Sequence, residues 1–219
     1  MGVAVVADVT PLSARVESYR RAYAEWPASW PSVHCASDGR EFMQGVWSFG
    51  QDYRNDSQFF GAYPGDYLDR LQALFPEHAL RPGMLPLGTR VLHAFSGSLP
   101  AGPYDRCDIV QPAEFQCDVR DVGSRASAPY DFIAADPPYS DEDAQKYKAP
   151  PLNRLAYTTA MSTCARVGAH MAWLDTVWPQ HNKDGWITIG WIYIQRSTNH
   201  RIRLMTLFER APEQREASQ

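Results

Sequence analysis

The chain has 219 residues, 44% of them hydrophobic and 21% charged, a composition that suits one substantial globular domain and is too short for two ordinary ones with linkers. With 21 Lys and Arg against 25 Asp and Glu the net charge is -4, which excludes a global basic field for sequence-independent nucleic-acid binding but allows a local basic face. No apolar run approaches the roughly 20 residues of a membrane span, and the N-terminal MGVAVVADVT lacks the basic flank and long apolar core of a secretory signal.

In chain order, Val16 to Glu25 has helical character and is stopped by Pro27 and Pro31. A tryptophan- and tyrosine-rich stretch follows. Then comes an amphipathic segment, Tyr67 to Phe75, with Leu68, Leu71, Ala73, Leu74 and Phe75 mainly on one face. The Pro- and Gly-rich RPGMLPLG leads to the first clear strand. From Arg90 onward short β-rich runs recur: RVLHAFSG, YDRCDIV, AEFQCDV, YDFIAADPP, GAHMAWLD, WITIGWIYIQ and RIRLMTLFER. Between the fourth and fifth, Leu152 to Val167 has helical spacing, with Leu152, Leu155, Ala156, Thr159, Ala160, Thr163, Cys164 and Val167 as its expected buried face. The last two runs flank the polar link RSTNH and should pair antiparallel. The expected fold is α/β: seven strands, mostly parallel, ending in an antiparallel pair. The expected domains are an N-terminal helical and aromatic extension over residues 1–85, a core over 86–210 and a tail over 211–219.

Asp136-Pro137-Pro138-Tyr139 follows the apolar run Phe132 to Ala135, which places it at the carboxyl end of a strand, where open α/β sheets bind ligands. An exocyclic amine conjugated to an aromatic ring is a poor nucleophile because its lone pair is delocalised. A carboxylate (Asp136) and a backbone carbonyl (Pro137) can accept both amine hydrogens and favour a tetrahedral nitrogen. The two prolines fix the loop's φ angles and remove competing N–H groups. Tyr139 would stack on a flat base.

Upstream, the strand Val91–Ala94 runs into the small-residue turn FSGS, where backbone can approach a ligand closely. Asp108 and Asp118 end the next two strands, as a ribose-binding carboxylate does in dinucleotide folds. This order resembles the class I (Rossmann-like) S-adenosylmethionine-dependent methyltransferases, specifically the amino-methyltransferases with a DPPY-type loop in the γ arrangement, over roughly residues 90–210. The resemblance implies S-adenosyl-L-methionine as cofactor, with Phe95, Ser96 and Gly97 against its methionine part, Asp108 on its ribose and Asp118 on its adenine. Gly61, Tyr63 and Pro64, in FFGAYPGDYL, look like the family segment that closes over the cofactor. Lys146 and Tyr147 would border the target base. Arg196, His200, Arg201 and Arg203 form the most basic stretch, suited to phosphate contact. Asp175, Trp178, His181 and Lys183 could line the substrate side.

Two departures from the family stand out. Gly97 is followed by Ser-Leu-Pro rather than a second glycine. The connections SLPAGPY and VQPAE are also too short for crossover helices, so residues 1–85 are left to cover one sheet face. The implied activity is methylation of an exocyclic amine in a nucleic-acid base. DNA is preferred to RNA as partner and adenine N6 is foremost. Cytosine N4, an RNA base, a protein glutamine, and a non-catalytic methyltransferase-like subunit are the alternatives. No insertion long enough for a target-recognition domain is present. A monomer or homodimer is expected in the cytoplasm, that of the host cell for a phage-borne enzyme. Cys35, Cys107, Cys117 and Cys164 lack ligand-knuckle spacing and read as reduced thiols, with no metal site expected.

Overall fold

The computed structural model describes residues 10–49, 63–196 and 202–212, with the side chain of residue 196 left out. The N-terminal region folds as α1 (Leu12–Ala22), β1 (Ser32–Cys35), β2 (Glu41–Phe49) and α2 (Tyr67–Leu74). The remainder is β3 (Val91–Ala94), β4 (Asp105–Asp108), β5 (Phe115–Gln116), α3 (Val122–Arg125), β6 (Tyr130–Ala135), α4 (Asp141–Lys146), α5 (Arg154–Cys164), β7 (Ala165–Asp175), β8 (Trp186–Arg196) and β9 (Ile202–Arg210). Among the described residues these form one nine-stranded sheet in the order β1-β2-β8-β9-β7-β6-β3-β4-β5. Only β1 and β9 run antiparallel to their neighbours.

Strands β3 to β9 are the seven expected ones, in the mostly parallel arrangement with an antiparallel C-terminal pair that defines the class I methyltransferase (Rossmann-like) fold. The N-terminal region does more than pack on them. Its strand β2 pairs in parallel with β8, from Met43 opposite Gly190 to Phe49 opposite Arg196, and β1 adds to the outside. Strands β1 and β2 form a hairpin across residues 36–40, which the expected elements do not include, and the other partner of β2 lies nearly 150 residues away.

Each sheet face has its own core. On one, Leu12, Val16 and Tyr19 of α1 and Tyr67, Leu71 and Leu74 of α2 pack on Met43, Trp47, Val91, Phe132 and Ile192. On the other, Val122 of α3 and Tyr157, Met161 and Cys164 of α5 pack on Leu92, Ile133, Met171, Trp173 and Phe208. No helix lies between β3 and β4 or between β4 and β5, and α1 and α2 fill the first layer.

Three expected helices differ in detail. The first starts earlier, after Pro11, whose fixed φ suits a helix entry. In α2 the buried face is Tyr67, Arg70, Leu71 and Leu74, while Leu68 and Ala73 are only partly covered. Arg70, a charged residue of this helix, is also buried. It donates to the Tyr19 hydroxyl at 2.9 Å and the Ser48 carbonyl at 3.3 Å and lies against the Trp47 and Phe49 rings. In α5 the buried residues are Tyr157, Thr158, Met161, Ser162 and Cys164, so Leu155 and Thr159 point outward. The larger Tyr157 and Met161 remove more apolar area from water than the small-residue stripe could. The Asn153 side chain caps this helix, accepting from Ala156 N at 3.0 Å.

Candidate active site

The strand order reverses between the parallel neighbours β3 and β6. The chain leaves β3 toward β4 and β5, then returns to place β6 on the other side. The carboxyl ends of such a pair bound a crevice that helices do not fill. Here that crevice is a cavity of about 290 Å³, walled by the turn after β3, the ends of β4 and β5, the loop after β6, and residues 143–150. Phe95, Gly97, Asp108, Asp118, Asp136, Pro137, Pro138, Tyr139, Lys146 and Tyr147 all face it.

On the β6 side, the Tyr139 hydroxyl donates to Asp136 Oδ1 at 2.6 Å. Asp136 Oδ2 and the Pro137 carbonyl have no hydrogen-bond donor among the described residues. Burial pushes the Asp136 carboxyl up to about 6, against the opposing Arg203 charge and the Tyr139 hydrogen bond. It is therefore an anion at neutral pH with one oxygen uncommitted. Burial and the neighbouring Asp136 raise the Tyr139 phenol, so it remains a donor.

The loop is held from behind. Arg154, the first residue of α5, forks onto Asp175 at the end of β7, with Nε to Oδ2 at 2.7 Å and Nη2 to Oδ1 at 3.0 Å, and Nη2 also donates to the Tyr139 carbonyl at 3.0 Å. Asp175 is fully buried and accepts further from Trp173 Nε1 and Thr176 N. It anchors the loop, and the expectation that it lines the substrate side is corrected. Trp178 packs on Trp191 and His181 on Phe208, and neither these two nor Lys183 faces the cavity.

On the β3 side, Phe95 and Gly97 both have positive φ, 58° and 51°. A non-glycine residue there is costly, and the Phe95 ring is packed edge-on against Tyr157 and Trp173. Ser96 is buried beneath the turn and does not face the cavity. The Gly97 N–H donates to Asp108 Oδ2 at 2.9 Å, and Asp108 Oδ1 accepts from Val110 N and Gln111 N at 2.8 and 2.7 Å. A carboxylate has about four acceptor sites, so Asp108 keeps one. Burial pushes Asp118 up, but the Arg120 hydrogen bonds outweigh it and hold its carboxyl low. Arg120 donates to Asp118 from its backbone N, Nε and Nη2. Both carboxylates are thus partly committed to the chain, a feature that strand-end position alone does not reveal.

Tyr63 and Pro64 do not face this cavity. Tyr63 stacks on Tyr67 and its hydroxyl lies 3.1 Å from His93 Nδ1, behind β3 and β6, and both residues line a separate open cleft with Arg81 and Leu99. The apolar layer under α2 draws the Tyr63 ring inward. Gly61, His200 and Arg201 lie outside the described residues, and Arg196 is described only as the last residue of β8. Arg203, expected on a phosphate, reaches the cavity with its guanidinium carbon 4.9 Å from the centre of the Tyr139 ring. Lys146 is paired with Asp143 at 3.0 Å. Among the described residues no group of three His, Cys, Asp or Glu side chains could hold a metal, and no helix is long and apolar enough to cross a membrane.

No protein-family model and no curated protein matches the chain. Among solved structures it is similar to TrmN from Thermus thermophilus, at 17% identity over 64% of this chain and 47% of that one, with a TM-score of 0.42. It is also similar to the N-methyltransferase NodS from Bradyrhizobium japonicum WM9, at 10% identity over 57% of this chain and 86% of that one, TM-score 0.37. A third is the T. thermophilus 16S rRNA N2 G1207 methyltransferase RsmC, solved with AdoMet and guanosine, at 13% identity over 89% of this chain and 48% of that one, TM-score 0.37. The chain spans about half the length of the first and third. These are likenesses of outline.

Proposed function

We propose that this chain is an S-adenosylmethionine-dependent methyltransferase acting on an exocyclic amino group of a nucleic-acid base, adenine N6 in DNA foremost. The observation that carries the reading is the pair of uncommitted acceptors, Asp136 Oδ2 and the Pro137 carbonyl, on a clamped loop facing the cavity. Two acceptors on one amine can hold both its hydrogens and direct the nitrogen lone pair away from them. With its carboxyl at about 6, Asp136 is ionised at neutral pH and acts as an acceptor. Tyr139 offers a ring for the base to stack on, and Arg154 keeps the loop from yielding when the amine binds.

The opposite wall fits the cofactor in chemistry and position. Phe95 and Gly97 would border its methionine part, the remaining acceptor site of Asp108 would take a ribose hydroxyl, and Asp118 would face the adenine. The bound cofactor supplies an electrophilic methyl group. Lys146 and Tyr147 flank the target side.

A second reading draws on Asp108, which spends three acceptor sites on backbone N–H groups: a methyltransferase-like subunit that binds without transferring. Calorimetry with S-adenosylhomocysteine separates the two, since absence of both heat and thermal shift would refute every enzymatic version. Transfer of labelled methyl to DNA and to RNA, followed by nucleoside analysis, then identifies polymer and atom. Label in N6-methyladenine of DNA is expected, and label confined to an RNA nucleoside or to cytosine would replace that acceptor.

A further inference from the structure

Arg203 begins the active-site end of β9, opposite Ile194 of β8, so its backbone is fixed by the sheet. Its side chain is half-buried and lies over the Tyr139 ring, yet among the described residues its guanidinium makes no hydrogen bond or ion pair. An arginine carries five donors, and a partly buried one normally spends them. No cavity acid claims them. Asp108 is held by backbone N–H groups and Asp118 by Arg120, while Asp136 accepts from Tyr139 and feels the Arg203 charge without a direct ion pair to it. Of the other cations facing the cavity, Lys146 is paired with Asp143, and Lys148 is exposed at the rim. The stacking contact fixes where the Arg203 charge sits without consuming a donor, because the ring attracts the cation through its face.

We infer that Arg203 is the seat of an anionic oxygen group, a phosphate or a carboxylate, carried by a ligand that enters the cavity beside Tyr139. This rests on the methyltransferase reading for its two sources: a backbone phosphate next to the target base, or the carboxylate of the cofactor's amino-acid part. Guanidinium pairs with both groups through parallel N–H donors, while the contact with the Tyr139 ring holds its charge beside the loop.

The test uses the full chain with Arg203→Met, which keeps the stem and removes the charge, and Arg203→Lys. The probes are S-adenosylhomocysteine, methylthioadenosine (which lacks the carboxylate), and one short single-stranded oligonucleotide made as DNA and as RNA. If the anion is a phosphate, Arg203→Met weakens oligonucleotide binding about tenfold or more and lowers the salt slope by about one between about 50 and about 200 mM salt. S-adenosylhomocysteine affinity then stays unchanged, and Arg203→Lys recovers part of the loss. If the anion is the carboxylate, Arg203→Met weakens S-adenosylhomocysteine about tenfold and leaves methylthioadenosine unaffected. Unchanged affinity for every probe overturns the inference, as does equal weakening of S-adenosylhomocysteine and methylthioadenosine. Wild-type protein that binds neither nucleoside refutes the cofactor reading itself, while the oligonucleotide arm still reports on Arg203.

Discussion

Arg154 and Asp175 form a two-pronged ion pair whose carboxylate is fully buried and whose arginine also holds the Tyr139 carbonyl, tying the end of β7 to the loop after β6. Breaking a buried pair from one side leaves an uncompensated charge, at a cost of about 3–5 kcal/mol. Arg154→Met should therefore lower the thermal midpoint by roughly 10 °C and reduce transfer. The double variant Arg154→Met with Asp175→Leu should regain part of the stability. A double variant no more stable than Arg154→Met would show that the stranded charge is not the source of the loss.

Asp136→Ala should reduce methyl transfer by about two orders of magnitude or more and leave S-adenosylhomocysteine binding nearly intact. In wild-type protein kcat/KM should fall as pH drops through about 6, because a protonated Asp136 is no longer a full acceptor. Asp136→Asn keeps an amide oxygen that still accepts, so it should retain measurable transfer and lose that acid limb. A pH profile with the same limb in Asp136→Asn would assign the titration to another group.

Stability should fall on acidification below neutrality. Burial pushes the imidazoles of His93 and His170 down to about 3, from 6.5 in an unfolded chain. Their contribution is complete above pH 6.5. Between pH 6.5 and about 3 the unfolded state takes up protons that the folded state does not, so stability is lost as pH falls, by up to about 1.4 kcal/mol per unit for each group. Asp136 acts in the opposite sense: its folded value of about 6 lies above 3.8, so protonation in that window favours the fold. Two histidines outweigh one carboxyl, and the urea midpoint should drop between pH 7 and pH 5. His170→Leu should make the drop shallower, and an unchanged slope would remove His170 from the account.

Gly190 faces Met43 across the β2–β8 pair, beside an irregularity in the β8–β9 register. A Cβ there would come within 2.6 Å of the Met43 carbonyl oxygen and 2.8 Å of its Cβ. Gly190→Ala should cost about 1–3 kcal/mol, with amide exchange rising first along β2. Protection of β2 equal to wild type would mean that the strands shift without parting.

The sheet core and the DPPY loop were legible because β3, β6 and the second half of β7 are short apolar runs ending in acidic or turn residues, a pattern local to each strand. Arg154 and Arg203 carried less signal. The first gains its role from Asp175, 21 positions away, and the second from a ring on another strand's loop. Asp108 was legible as a strand-end carboxylate, but its partners depend on how the following residues turn back onto it. Tyr63 and Pro64 were misplaced because a motif cannot say which side of the sheet an aromatic segment approaches from. Strand β2 shows its hairpin with β1 locally, but its place in the main sheet depends on β8 at the far end of the chain.

That distance has a consequence for synthesis. Strand β2 ends at Phe49, and β8, which covers its inner edge, begins at Trp186. A ribosome adding about 5–20 residues per second needs roughly 10–30 s to make the intervening chain. Throughout that interval the inner edge of β2 awaits its neighbour, although the Trp47 ring has Tyr19 and Tyr67 to pack on. The β3–β6 pair that bounds the cavity can form earlier, so the sheet becomes continuous only near the end of translation, and until then β2 offers an edge on which another chain can pair.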